Sequence, residues 1–152
     1  MTPEQVKLVQ DSFAKVAPIA PQAADIFYDR LFEIAPEMRP LFPSEMADQK
    51  QKLMAMLATA VSNLNQLEKI LPAVEDLGRR HVGYGVTSAH YKPVGEALIY
   101  TLERGLGPDF TPETKEAWIA TFTALSGVMT KAAEESIPPT AKKKGIFARI
   151  FG

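Results

Sequence analysis

The chain has 152 residues, of which 46% are hydrophobic and 23% charged, and its formal net charge is −1. That size suits one domain with a full core and not two, and the balanced charge excludes a surface field built for nucleic acid. With no cysteine, the chain excludes disulfides, thiolate metal sites, iron–sulfur clusters, cysteine nucleophiles and haem attached through C-x-x-C-H.

The opening MTPEQVKLVQDSF alternates charged and apolar residues, unlike a signal peptide, and no apolar run approaches the length of about 18 residues that a membrane span needs. A cytoplasmic protein is expected. Thr2-Pro3-Glu4-Gln5 reads as a helix start in which threonine caps, proline takes the first turn and Gln5 completes a capping box. Val6, Val9, Phe13 and Val16 come next as one apolar stripe. Pro18 and Pro21 interrupt it, after which Ala24, Phe27, Tyr28, Leu31 and Phe32 recur at helical spacing until Ala35-Pro36 stops a second helix. Tyr28 therefore sits on an apolar face.

Pro36 to Leu41 reads as a short helical turn ending at Phe42-Pro43, with Ser44 as the cap of the third helix. Met46, Gln49, Leu53, Met56, Leu57, Ala60, Val61 and Leu64 then form a stripe in which Gln49 is the polar exception. Beyond a polar break at Ser62 to Gln66, Ile70, Val74, Leu77 and His81 fall at spacings of four, three and four, so His81 too belongs to an inward face. Gly83 and Gly85 end that helix. Thr87 or Ser88 opens the next, with Tyr91, Val94, Leu98 and Leu102 inside and Gly105 and Gly107 at its end. Thr111-Pro112-Glu113 repeats the opening signature of the first helix, and Trp118, Phe122, Leu125, Met129 and Ala132 run down the last. Nothing has the period of a strand, and the fold class is all-α.

Three polar residues on inner faces ask for a reason. A histidine on an apolar stripe is often a core residue whose nitrogens meet backbone, and a metal ligand is the other reading. Zinc would want three or four protein ligands, and His90, the second histidine, has no ligand motif around it. A haem iron needs one. It also needs an apolar slot, which Leu53, Leu57, Leu77, Val86, Val94 and Val128 would line; equally, those residues would simply pack a bundle.

The stretches FYDRLFEIAPEMRPLF (27 to 42), DQKQKLM (48 to 54), ILPAVEDLGRRHVGYGV (70 to 86), HYKPVGEALI (90 to 99) and EAWIATFTALSGV (116 to 128) resemble the globins. Within that family they are most similar to bacterial single-domain haemoglobins and the globin domain of flavohaemoglobins. The resemblance implies a three-over-three helical sandwich around a b-type haem, with residues 1–137 as the globin domain. It makes His81 the proximal iron ligand, Phe42 the aromatic wedged against haem, Tyr28 and Gln49 the distal pair, and Leu53 the residue limiting ligand space. It also implies that Tyr91 and Glu135 surround the proximal histidine. Leu57, Leu77, Val86, Tyr91 and Val94 would line the cofactor, and Arg79, Arg80, Lys50 and Lys52 are candidates to neutralise its propionates.

The implied function is reversible, high-affinity binding of dioxygen, with NO and CO as further ligands. Two distal donors favour dioxygen over carbon monoxide and slow its release. NO dioxygenation or peroxidase-like turnover would depend on a separate reductase, since the chain ends before any flavin or nicotinamide domain. A haem-less globin-fold interaction or stress-signalling module is the alternative. Gln49 or Tyr28 approaching ferric iron is a third possibility. A monomer or weak homodimer is expected. The last segment, 138–152, changes composition to prolines, lysines and then Ile146, Phe147, Ile150 and Phe151, and reads as an appended, solubilising tail; contact of its basic and apolar face with an anionic membrane or a partner groove is the less favoured alternative.

Overall fold

The Thr2 hydroxyl accepts from the Gln5 amide at 3.1 Å, and the Thr2 amide donates back to Gln5 Oε1 at 3.0 Å, closing the expected capping box. In the computed structural model, which describes residues 1–83 and 88–136, that cap opens α1 (Pro3–Val16). After it come α2 (Ala20–Ile34), α3 (Ala47–Ser62), α4 (Leu67–Gly83), α5 (Tyr91–Leu106) and α6 (Pro112–Ser136). The expected breaks survive as single 3₁₀ turns, Ala17–Ile19 between α1 and α2 and Leu64–Gln66 between α3 and α4, and Pro21 falls in the first turn of α2 where its missing donor costs nothing. Gly107, at φ 56°, closes α5 in a backbone region that suits glycine. Gly85, Val86, Thr87 and the segment 138–152 lie outside the described residues.

Two expectations about α3 are corrected. Ser44 does not cap it: the helix starts at Ala47 after Met46, which makes no side-chain cap, and the Glu45 carboxylate takes the Ala47 amide at 3.0 Å. Met56, assigned to the inner stripe, is exposed at 38%, because α3 is covered along one narrow side only.

The helices form two layers, α1, α3 and α4 over α2, α5 and α6, with the broadest packing between α4 and α6, α2 and α5, and α1 and α6. Val9, Leu31, Met38 and Trp118 are buried at the centre. The Trp118 indole nitrogen donates to Ser12 Oγ at 2.8 Å, which satisfies a polar group in the core that joins α1 to α6. Gly78 brings α4 against α6 so closely that a Cβ there would overlap the Met129 carbonyl and lie 2.6 Å from its Cα. The fold thus carries the α4 histidine on α6 and the α3 glutamine on α2. Among the described residues α3 and α4 share no extensive contact.

Candidate functional site

Tyr28 arrives on the inner face of α2 and is 3% exposed. Its ring stands edge-on to Phe27 at 4.9 Å and to Phe42 at 5.5 Å, and Phe32 packs on both Tyr28 and Phe42. The 3₁₀ turn Pro36–Leu41 delivers Phe42 to this cluster. Gln49, half-buried in the first turn of α3, donates its Nε2 hydrogen to the Tyr28 oxygen at 3.1 Å. Residues separated by 21 positions are thereby joined into one polar pair inside an aromatic wall. A phenol has one hydrogen to donate and two lone pairs. Accepting from Gln49 leaves Tyr28 its own proton for another acceptor. Burial pushes the Tyr28 pKa above its ordinary 10.0, with the Gln49 bond pulling partly back, so the hydroxyl is a protonated donor at neutral pH.

His81 lies half-buried on α4, with Nδ1 2.7 Å from the Leu77 carbonyl. A carbonyl only accepts, so this bond puts the ring proton on Nδ1 and the lone pair of the neutral imidazole on Nε2. Burial lowers the His81 pKa below 6.5, the Leu77 bond opposes that shift and the nearby Arg80 charge adds to it. The ring is therefore neutral, the form that ligates metals.

Glu135, expected near the proximal histidine, is exposed on α6, and the hydrogen-bond partner seen at His81 Nδ1 is the Leu77 carbonyl. Carboxylate reach depends on how α6 is rolled, which helical spacing alone leaves open. Lys50 pairs with Asp25 at 2.8 Å, tying α3 to α2. Arg80 pairs with Asp76 on its own helix at 3.1 Å, while Arg79 and Lys52 are exposed. Tyr91, the first residue of α5, is half-buried, and burial raises its hydroxyl above 10.0. Leu77, Val94 and Val128 are half-buried. Leu53 and Leu57 turn toward the core, where with Phe13, Leu98 and Trp118 they border a small apolar cavity of about 10 Å³. Val86 lies outside the described residues.

This donor set suits a particular kind of cofactor. Among the described residues no group of three or more His, Cys, Asp or Glu side chains gathers to hold a metal by protein ligands alone. One neutral imidazole of fixed tautomer on α4 fits a metal whose remaining ligands come from a macrocycle. The residues therefore fit haem. Sequence patterns did not point to Gly78, although a glycine inside a helix is itself a signal of close packing, nor to Arg39 or the Asp25–Lys50 tie, for which no local signal exists.

Comparisons with known proteins agree with the fold. The family model described as globin matches residues 25–129. Neuroglobin of Danio rerio is 28% identical over 138 residues, covering 82% of this chain and 87% of that protein. The bacterial globin of Campylobacter jejuni superposes with a TM-score of 0.79 at 24% identity, over 88% of this chain and 97% of its own. A provisional nitric oxide dioxygenase from Rhodothermus marinus, engineered as a carbene transferase, superposes with a TM-score of 0.81 at 24% identity, over 89% and 94%.

Proposed function

Because the chain belongs to the globin family, we propose that it binds a b-type haem through His81 and holds dioxygen reversibly, with high affinity, on the side faced by Tyr28 and Gln49. The observation that carries this reading is the half-buried Gln49–Tyr28 hydrogen bond of 3.1 Å. Haem, when bound, supplies an iron centre that takes a diatomic ligand. His81 presents Nε2, and the Leu77 carbonyl, by accepting from Nδ1, orients the ring and makes it a stronger donor. Tyr28 directs its hydroxyl proton at the ligand, and Gln49 fixes the phenol from the other side. Phe42 packs edge-on against the Tyr28 ring at 5.5 Å and shields one side of the phenol.

A hydrogen bond contributes about 0.5 to 1.5 kcal/mol net, and about 1.4 kcal/mol is tenfold in a rate or equilibrium. Two such bonds slow ligand release by about one to two decades. That range suits scavenging, sensing or chemistry on the ligand better than bulk transport. The Rhodothermus marinus neighbour supports nitric oxide as a second ligand, and turnover with it would need an electron donor.

The test is an absorption spectrum of the purified chain supplied with haemin, oxidised and then reduced, with and without carbon monoxide, beside His81→Ala. The expected result is a sharp carbonyl band that the variant loses. A chain that stays colourless would refute haem binding and favour a haem-less interaction or stress-signalling module.

A further inference from the structure

Arg39 touches neither Tyr28 nor Gln49 by hydrogen bond, yet it holds the stretch of backbone between them. Its Nη1 donates to the carbonyls of Phe42 at 3.3 Å and Pro43 at 2.9 Å, and its Nη2 to the carbonyl of Ser44 at 3.2 Å. The Phe42 amide in turn donates to the Arg39 carbonyl at 3.1 Å, so residue 39 grips this segment with side chain and backbone together. The guanidinium carbon lies 5.2 Å from the centre of the Phe32 ring, the same ring that packs on Tyr28 and Phe42.

The start of α3, just beyond this segment, is held by the Glu45 carboxylate on the Ala47 amide at 3.0 Å and by Lys50 on Asp25 at 2.8 Å, but neither contact fixes the backbone of residues 42 to 44. The helix opens without a side-chain cap from Met46, and Gln49 belongs to its first turn, where backbone amides have no helical partner. The direction in which α3 sets off is therefore governed by residues 42 to 44, whose three carbonyls Arg39 fixes with charge-assisted bonds. A planar guanidinium serves several acceptors at once, whereas a lysine ammonium is a point charge on a loose stem.

We propose that Arg39 is a positioning residue for the distal pair: by gripping three successive carbonyls it sets the approach of α3 and keeps Gln49 within bonding distance of Tyr28. The inference rests on the reading that Tyr28 and Gln49 govern ligand release, and it adds a regulator of that same site which makes no contact with the ligand.

The experiment compares Arg39→Met, which keeps the stem over Phe32 and loses every donor, with Arg39→Lys and Gln49→Leu, in the full chain loaded with haem. Two quantities are read: the rate of dioxygen release, and hydrogen exchange of the Lys50 amide, which is bonded to the Met46 carbonyl at 2.9 Å. Arg39→Met is expected to speed release by about two- to twelvefold, the worth of one hydrogen bond, and to speed exchange at Lys50 while leaving α6 amides unchanged. Arg39→Lys should fall between it and the wild type, and it serves alone if the methionine variant does not fold. In the Gln49→Leu background the methionine substitution should add less than about a factor of two. Effects that multiply in the double variant, or wild-type exchange at Lys50 in Arg39→Met, would overturn the proposal. Should Gln49→Leu and Tyr28→Phe both leave release unchanged, the reading that the distal pair governs ligand release fails, while local loosening at Lys50 would still uphold the positioning role.

Discussion

Replacing Tyr28 by phenylalanine removes one oxygen and keeps the ring that packs on Phe27, Phe32 and Phe42. Apolar packing is thus preserved and the change isolates hydrogen bonding. The hydroxyl has two tasks, accepting from Gln49 at 3.1 Å and donating to a bound ligand. Loss of the second alone accelerates dioxygen release by about two- to twelvefold, the range of a single net hydrogen bond. If Gln49 also turns away once its acceptor is gone, the ceiling rises to about two decades. Folding stability should fall by about 1 kcal/mol or less, because Gln49 is half-buried and can bond to water instead. The assay is stopped-flow displacement of dioxygen by carbon monoxide in the reduced protein, with carbon monoxide release measured in parallel as a nearly nonpolar control. Release of dioxygen within a factor of about two of the wild type would refute the distal argument. Equal acceleration of both ligands would also refute it, since that would mark a pocket opened sterically.

Two other perturbations probe the scaffold. Gly78→Ala places a methyl against the Met129 backbone, which cannot swing aside as a side chain does. Overpacking of about 1–3 kcal/mol outweighs the gain of about 1 kcal/mol in helix propensity, so the Tm should drop and haem should be retained less firmly as α4 shifts with His81; an unchanged Tm would show that α4 is not pinned there. At alkaline pH the raised Tyr28 pKa has a defined sign. Above its ordinary 10.0 the unfolded chain gives up a proton that the folded chain keeps, so this stabilisation is complete below pH 10 and is lost as pH rises beyond it. The decline is at most about 1.4 kcal/mol per pH unit, and urea titrations at stepped pH should show a shallower one in Tyr28→Phe; equal slopes in both proteins would contradict it.

Much of the fold was legible because its signals are local. The Thr2 capping box, the second opening at Thr111, whose hydroxyl accepts from the Thr114 amide at 3.2 Å, and the end of α5 at Gly107 each depend on residues within one turn. Inner stripes on α1, α2 and α5 came from helical period, since a helix with one apolar side buries that side. Ser44 has the chemistry of a cap but stands three residues before Ala47, where α3 begins after Met46. The Lys50–Asp25 pair was not legible, because spacing tells which face a charge occupies, not which partner across a helix boundary reaches it.

The amino-acid sequence by itself determined six helical segments, a chain without thiol chemistry, and three polar residues, Tyr28, Gln49 and His81, facing inward on separate helices. Tertiary structure alone decided that Gln49 bonds to Tyr28 and that α4, which carries His81, packs closely on α6 at Gly78. It also decided that Lys50 belongs to Asp25. Helix signals are encoded over one or two turns by backbone hydrogen bonding and apolar period. Pairings across 21 or 51 residues arise only when whole helices settle their roll and tilt in a shared core, and no short stretch of chain carries that information.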